Sequence, residues 1–158
     1  MSELTHTGES GEVRMVDVGG KMESARKASA SGEISMQPET LRAIRENRVA
    51  KGEVVATARI AGILAAKRTS DLIPLCHAIQ LTDVSVDFSF DDALPGVRVA
   101  ATASTIGRTG VEMEALTAAA VALLTIYDMA KGIDRGMRIR NVELVSKTGG
   151  RSGDWTRD

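Results

Sequence analysis

Cysteine is almost missing from this chain: Cys76 is the only one in 158 residues. No intramolecular disulfide can form, and no CxxC-type metal framework exists. A single thiol fits a reducing cytoplasm. Aromatic residues make up only 3%, which leaves little to stack on bases and argues against an RNA-reading sheet. The formal net charge is −1, so no global basic field attracts nucleic acid and any anion site must be built locally. There are two histidines, His6 and His77, and no HExxH, which makes a zinc site improbable. No GxxxxGK[ST] loop and no strand–GxGxxG–helix unit occur. The N-terminus lacks the apolar core of a signal peptide. The longest apolar-rich run, Ala115 to Tyr127, falls short of the roughly 20 residues that a membrane span needs. A cytoplasmic protein with no membrane segment is expected.

What is present suits a soluble globular chain: 43% hydrophobic and 26% charged residues, enough for one domain over 1–158 with a sizeable core. Residues 1–31 are rich in Gly, Ser, Thr and charge and read as a partly disordered arm, with "VRMVDV" (Val13–Val18) alternating like a short strand. "TGGRSGDWTRD" (148–158) reads as a flexible Gly-rich tail.

Between them the periodicity spells out elements. "GEISM" (Gly32–Met36) reads as a strand. "QPETLRAIRENR" reads as a short helix with Pro38 at its first position and Glu39 in its first turn. A longer helix is expected from Glu53 to Arg68 and must stop before Pro74. In "LTDVSVDFSF" Val84, Val86, Phe88 and Phe90 share one face, with Asp83, Ser85, Asp87 and Ser89 on the other. "DDALPG" turns into "VRVAATAST", an antiparallel hairpin partner. A long helix is expected from Val111 to Lys131, about 31 Å at roughly 1.5 Å per residue, and its small apolar residues demand burial on several sides. "MRIRNVELVSK" is a last strand. The order is βαββαβ, which points to an α+β ferredoxin-like antiparallel sheet with helices on one face.

The stretch "GVEMEAL" (Gly110–Leu116) sets Glu112 and Glu114 at the entrance of the greasiest segment. Two explanations stand side by side: surface acids complementing the helix dipole, or partly desolvated carboxylates with shifted pKa. At the other end Asp128 and Lys131 have the i, i+3 spacing of an ion pair. Glu114 and Asp128 lie about 21 Å apart along a straight helix, on nearly the same face. Two copies packed antiparallel bring one helix start near the other's end, so a site shared between subunits is expected. Lys51 lies in the link between two helices; a lysine brought near Lys131 has its pKa lowered by the like charge. His77 suits either a structural hydrogen bond or function, and Cys76 beside it suits a small buried residue. "SKTGGRSG", with Lys147 and Arg151, is a weak phosphate-cradle signal.

Taken together, "MVDV", "ATARIAGI", "AAKRTSDLIPLCH", "TGVEMEALTAA", "LTIYDMAKGID" and "SKTGGRSG" resemble the cyclic pyranopterin monophosphate synthase family of molybdenum cofactor biosynthesis, over about Leu4 to Trp155. The resemblance implies a ferredoxin-like fold assembled as a homohexamer, a trimer of dimers. It implies a lyase that converts a cyclised dihydroguanosine triphosphate to cyclic pyranopterin monophosphate and releases pyrophosphate. It implies no redox cofactor; no metal site is expected from the residues, and a divalent cation accompanying the triphosphate is not predicted. Carried onto matching positions, it makes Asp128 the active-site residue and Lys51 and Lys131 proton-moving lysines. It assigns Leu75, Cys76, His77, Met113 and Glu114 to substrate binding, with Glu112 as a further acid. Arg26, Lys21 and Lys147 fall on triphosphate-binding positions. Two positions depart from the family pattern: Arg108 stands where lysine is usual, and Ala78 where proline follows "LCH". The competing readings are a non-catalytic nucleotide-binding ferredoxin-like module, and a pyrophosphohydrolase holding Mg²⁺ on Glu112, Glu114 and Asp128.

Overall fold

A computed structural model describes residues 11–158; His6 and the rest of residues 1–10 of the expected arm lie outside the described residues. Strict alternation builds the sheet. In β1 (Ser24–Ser35) Ala28, Ala30 and Ile34 point inward, and in β3 (Gly96–Gly107) Val97, Val99, Ala101 and Ala103 do the same. The two strands are antiparallel, with Ala28 opposite Ala103 and Ile34 opposite Val97, so one face is apolar between these two pairs. β2 (Asp83–Asp91) and β4 (Arg138–Thr148) flank them, the short β5 (Trp155–Thr156) follows β4, and the five-stranded antiparallel order is β2-β3-β1-β4-β5.

Four helices connect these strands: α1 (Pro38–Arg45), α2 (Val54–Lys67), the short α3 (Thr69–Leu72) and α4 (Glu112–Ala130). α4 lies on the apolar sheet face against β1, β3 and β4, and α2 packs on α4 and β2. Gly62 makes that helix pair close: a Cβ there would meet the Ala118 carbonyl oxygen at 2.9 Å. Glu53 caps α2, its carboxylate accepting from the Val55 and Ala56 amides at 3.1 and 2.8 Å, which satisfies two orphan donors of the first turn.

The α+β pattern stands, with its boundaries corrected. The strand expected over Gly32–Met36 begins at Ser24, within the segment read as an arm, because β3 and β4 pair with it on both sides. "VRMVDV" forms no strand beyond an isolated bridge at Val13. The tail ends in β5 (Trp155–Thr156), paired with Ser146 and Lys147 of β4. α3 was not expected. α4, at 19 residues, is long and apolar enough to cross a bilayer by length and composition, contrary to the shortfall expected from its sequence. Its apolarity has an internal explanation: ten of its residues are buried, among them Ala118, Ala119, Leu123 and Ile126.

Candidate active site

α4 carries ionisable groups at both ends. At its start Val111 is fully covered, and the following turn projects Glu112, Met113 and Glu114 into a cleft of about 440 Å³. The loop after α3 supplies Leu75, Cys76 and His77 to the same cleft, and the N-terminal segment supplies Val16, Val18 and Lys21. Glu114 is 4% exposed. Loss of hydration raises its pKa from 4.5 to about 7, a backbone hydrogen bond offsets part of this, and the Glu112 charge adds to the rise. The Cys76 thiol is pushed up, first by burial and then by Glu114. His77 Nε2 lies 2.8 Å from the Val16 carbonyl oxygen. A carbonyl only accepts, so this contact sets the proton on Nε2.

A second hollow of about 150 Å³ adjoins the first and is strongly basic: Lys21, Arg26, Lys27, Arg108 and Lys147 line it. Glu112 borders both hollows. Its Oε1 accepts from Lys147 Nζ at 3.0 Å, each side chain being 29% exposed. Arg26 donates from Nε to the Gly107 carbonyl at 3.0 Å and from Nη2 to the Arg108 carbonyl at 3.3 Å. The Gly149–Gly150 turn has φ of +85° and +83°, a conformation that favours glycine. A Cβ on Gly150 would run into the Arg26 guanidinium. Lys21 and Arg26, with Ser24, Gly150 and Arg151, also bound a neighbouring hollow of about 460 Å³.

The other end of α4 holds a different cluster. Lys51 Nζ approaches Asp128 Oδ2 at 2.8 Å, and Lys131 Nζ approaches Oδ1 at 2.7 Å. Lys51 also donates to the Asp128 carbonyl at 2.8 Å. Buried Val49 and the left-handed Gly52 (φ +106°) set the loop from which Lys51 reaches across. The hydrogen bonds from Lys131 and then Lys51 hold the Asp128 carboxyl down at about 2. The side chain stays 57% exposed.

The structure thus gathers the residues singled out from sequence into two groups. Leu75, Cys76, His77, Met113, Glu112, Glu114, Lys21, Arg26 and Lys147 surround the joined hollows. Asp128, Lys51 and Lys131 form the second group. Within one chain the groups stay about 21 Å apart along α4. The three carboxylates of the pyrophosphohydrolase reading therefore do not converge in one copy. Phe88 and Phe90 are not laid out for base stacking, since Arg59 and Arg45 guanidinia sit 5.4 and 5.2 Å from their ring centres. Sequence reasoning missed Thr109 and Lys27. Thr109 lies directly before "GVEME", and Lys27 is paired in register with Thr148 at the Gly-rich turn.

Comparison with known proteins gives a consistent picture. A model described as the MoaC family matches residues 15–150. A cyclic pyranopterin monophosphate synthase of Roseiflexus sp. is 59% identical over 158 residues, covering 100% of both chains. The protein of the same name from Brucella ovis is 59% identical over 152 residues, 96% of this chain and 92% of that one. That of Brucella abortus gives the same figures, 59% over 152 residues.

Proposed function

The chain belongs to the MoaC family, and from that premise we propose which of its groups perform the synthesis of cyclic pyranopterin monophosphate, the lyase step of molybdopterin biosynthesis that is this chain's reaction. The substrate is a cyclised dihydroguanosine triphosphate, and pyrophosphate is released.

The joined hollows hold the two halves of that molecule. The 440 Å³ cleft takes the guanine-derived ring, and the basic cradle takes the triphosphate. Glu112 and Glu114 accept N–H bonds from the ring; Glu114, raised to about 7, also donates one in its protonated form. Lys21, Arg26 and Lys147 meet the phosphates. Closing the cyclic phosphate forms a bond from a substrate hydroxyl oxygen to the α-phosphorus and breaks the bond to the leaving pyrophosphate. Such transfers rest on positioning and on cations beside the developing charge. Opening the five-membered ring needs a proton delivered to nitrogen and another taken from water or hydroxyl. Lys51 and Lys131, oriented by one carboxylate, are suited to both.

The single observation that carries this reading is the convergence of both lysines on Asp128, at 2.8 and 2.7 Å. Because that cluster sits at the far end of α4 from the cleft, the complete site is formed between two copies. The chain works as one domain, in the cytoplasm, as a hexamer built from such dimers. The exposed apolar side chains of Ile60 and Leu64 on α2 and Leu124 on α4 support self-association, since they stand on otherwise core-forming helices. Incubation with the cyclised dihydroguanosine triphosphate, read by product mass and pyrophosphate release, tests the reaction. Co-assembly of a Glu114→Ala chain with a Asp128→Ala chain tests the shared site: recovered turnover is expected, and none would rule it out.

A further inference from the structure

The N-terminal segment lines the ring cleft with Val16, Val18 and Lys21 and the basic cradle with Lys21 before it enters β1, and it belongs to no helix or strand between residues 14 and 23. Two side chains from distant parts of the sequence hold it. His77 Nε2 donates to the Val16 carbonyl at 2.8 Å. Arg108 Nη1 donates to the Gly19 carbonyl at 3.1 Å, and Arg108 Nε faces Glu23 Oε1 at 3.8 Å. Between these anchors the backbone makes a tight turn. Asp17 Oδ1 accepts from the Gly19 amide at 2.8 Å, and the Lys21 amide donates to the Val18 carbonyl at 3.1 Å. Lys21 leaves this turn and borders the ring cleft, the basic cradle and the neighbouring 460 Å³ hollow. Arg108 is itself held: the Gly107 and Arg108 carbonyls accept from Arg26.

From this arrangement we infer that His77 and Arg108 are positioning residues, two pins that strap residues 16–23 across the substrate hollows and set the Lys21 ammonium among the phosphates. The inference rests on the cleft assignment given above and deepens it. It gives Arg108 a task that lysine performs only in part. A planar guanidinium offers N–H directions to a carbonyl and a carboxylate at once, whereas an ammonium is a single compact charge on a flexible stem. It also leaves His77 no ring donor for the guest in this tautomer, because the Nε2 proton is already given to Val16 and Nδ1 can only accept.

A role exercised through Lys21 has a kinetic signature that direct contact lacks. Lys21→Ala removes a charge-assisted bond and is expected to raise KM about tenfold or more with little change in kcat. Arg108→Ala and His77→Ala are expected to raise KM in the same way. Combining either with Lys21→Ala is expected to add almost nothing, since residues acting through one group are not additive. Arg108→Lys and His77→Gln, which keep one donor each, recover part of the loss. Amide hydrogen exchange over residues 16–23 of the full chain, measured without substrate, is expected to speed up in both alanine variants. Multiplying KM effects in the double variants, or unchanged exchange over 16–23, would overturn the inference. A wild-type chain that yields no pterin product would instead sink the reading of the reaction, and the exchange measurement would still decide the strap.

Discussion

Lys51 and Lys131 engage opposite oxygens of one carboxylate, Asp128, from a loop and from the end of a helix. The carboxylate fixes the separation of two ammonium groups that otherwise repel, and it stands half in water.

That exposure lets activity and stability be told apart. Asp128→Asn is expected to lower turnover about 10²-fold or more, because the two lysines proposed to move protons lose their common orienting group. Exposed ion pairs contribute little to folding, so Tm is expected to move by no more than about 3 °C. Steady-state kinetics and thermal unfolding on the same preparation check both halves. A large fall in Tm would make the cluster structural.

Glu114 and Asp128 give the chain opposite pH behaviour. Asp128, lowered from 3.8 to about 2, contributes stability that is present above its ordinary pKa and is lost as the pH falls from there through about 2. Glu114 is raised from 4.5 to about 7. Between those values the folded chain keeps a proton that the unfolded chain has released, so stability falls as pH rises through this window. The full loss is about 3 kcal/mol at roughly 1.4 kcal/mol per unit. Urea unfolding of wild type and Glu114→Gln between pH 4.5 and 7.5 is expected to diverge, the variant being relatively more stable at the upper end. Parallel curves would contradict this.

Cys76 reports on the same carboxylate. Its thiol is raised by burial and by Glu114, and only the thiolate is nucleophilic. Alkylation of Cys76 at pH 8 is expected to be faster in Glu114→Gln than in wild type, as seen by mass spectrometry of timed samples. Slower or equal labelling would mean that the two groups are not coupled.

Gly110 is placed so that the Glu112 carboxylate folds over it, and a Cβ there would collide with that carboxylate. Gly110→Ala is therefore expected to push Glu112 away from Lys147 and to raise KM about tenfold, the size of one hydrogen bond to a charged group. Unfolding should be little affected. Kinetics of the variant beside Glu112→Ala check this, since both should show the same defect.

Much of this was legible in the residues. Bulky alternation in "VSVDFSF" and "VRVAATA" marked the hairpin, and the small apolar stretch after Glu114 marked the central helix. The first half of β1 is not legible, because "SARKASAS" holds only alanine and serine around Arg26 and Lys27. Such residues carry little hydrophobic contrast, and the strand is fixed by ladders on both sides. The Asp128–Lys131 pair was visible as helix spacing, whereas Lys51 joins it across a loop, a contact between residues 77 apart in sequence. The hold of Arg108 on Gly19 spans 89 residues and had no local signal beyond the substitution itself.

The Lys147–Glu112 pair means that the basic cradle brings its own counter-ion. A visiting anion must out-compete a tethered carboxylate before it gains that ammonium. A lone inorganic phosphate, with few other handholds, gains little from the exchange. On the proposed reading of the cradle, a polyphosphate whose attached ring simultaneously engages the freed carboxylate recovers the loss, so the pair would filter guests by requiring both of their ends at once.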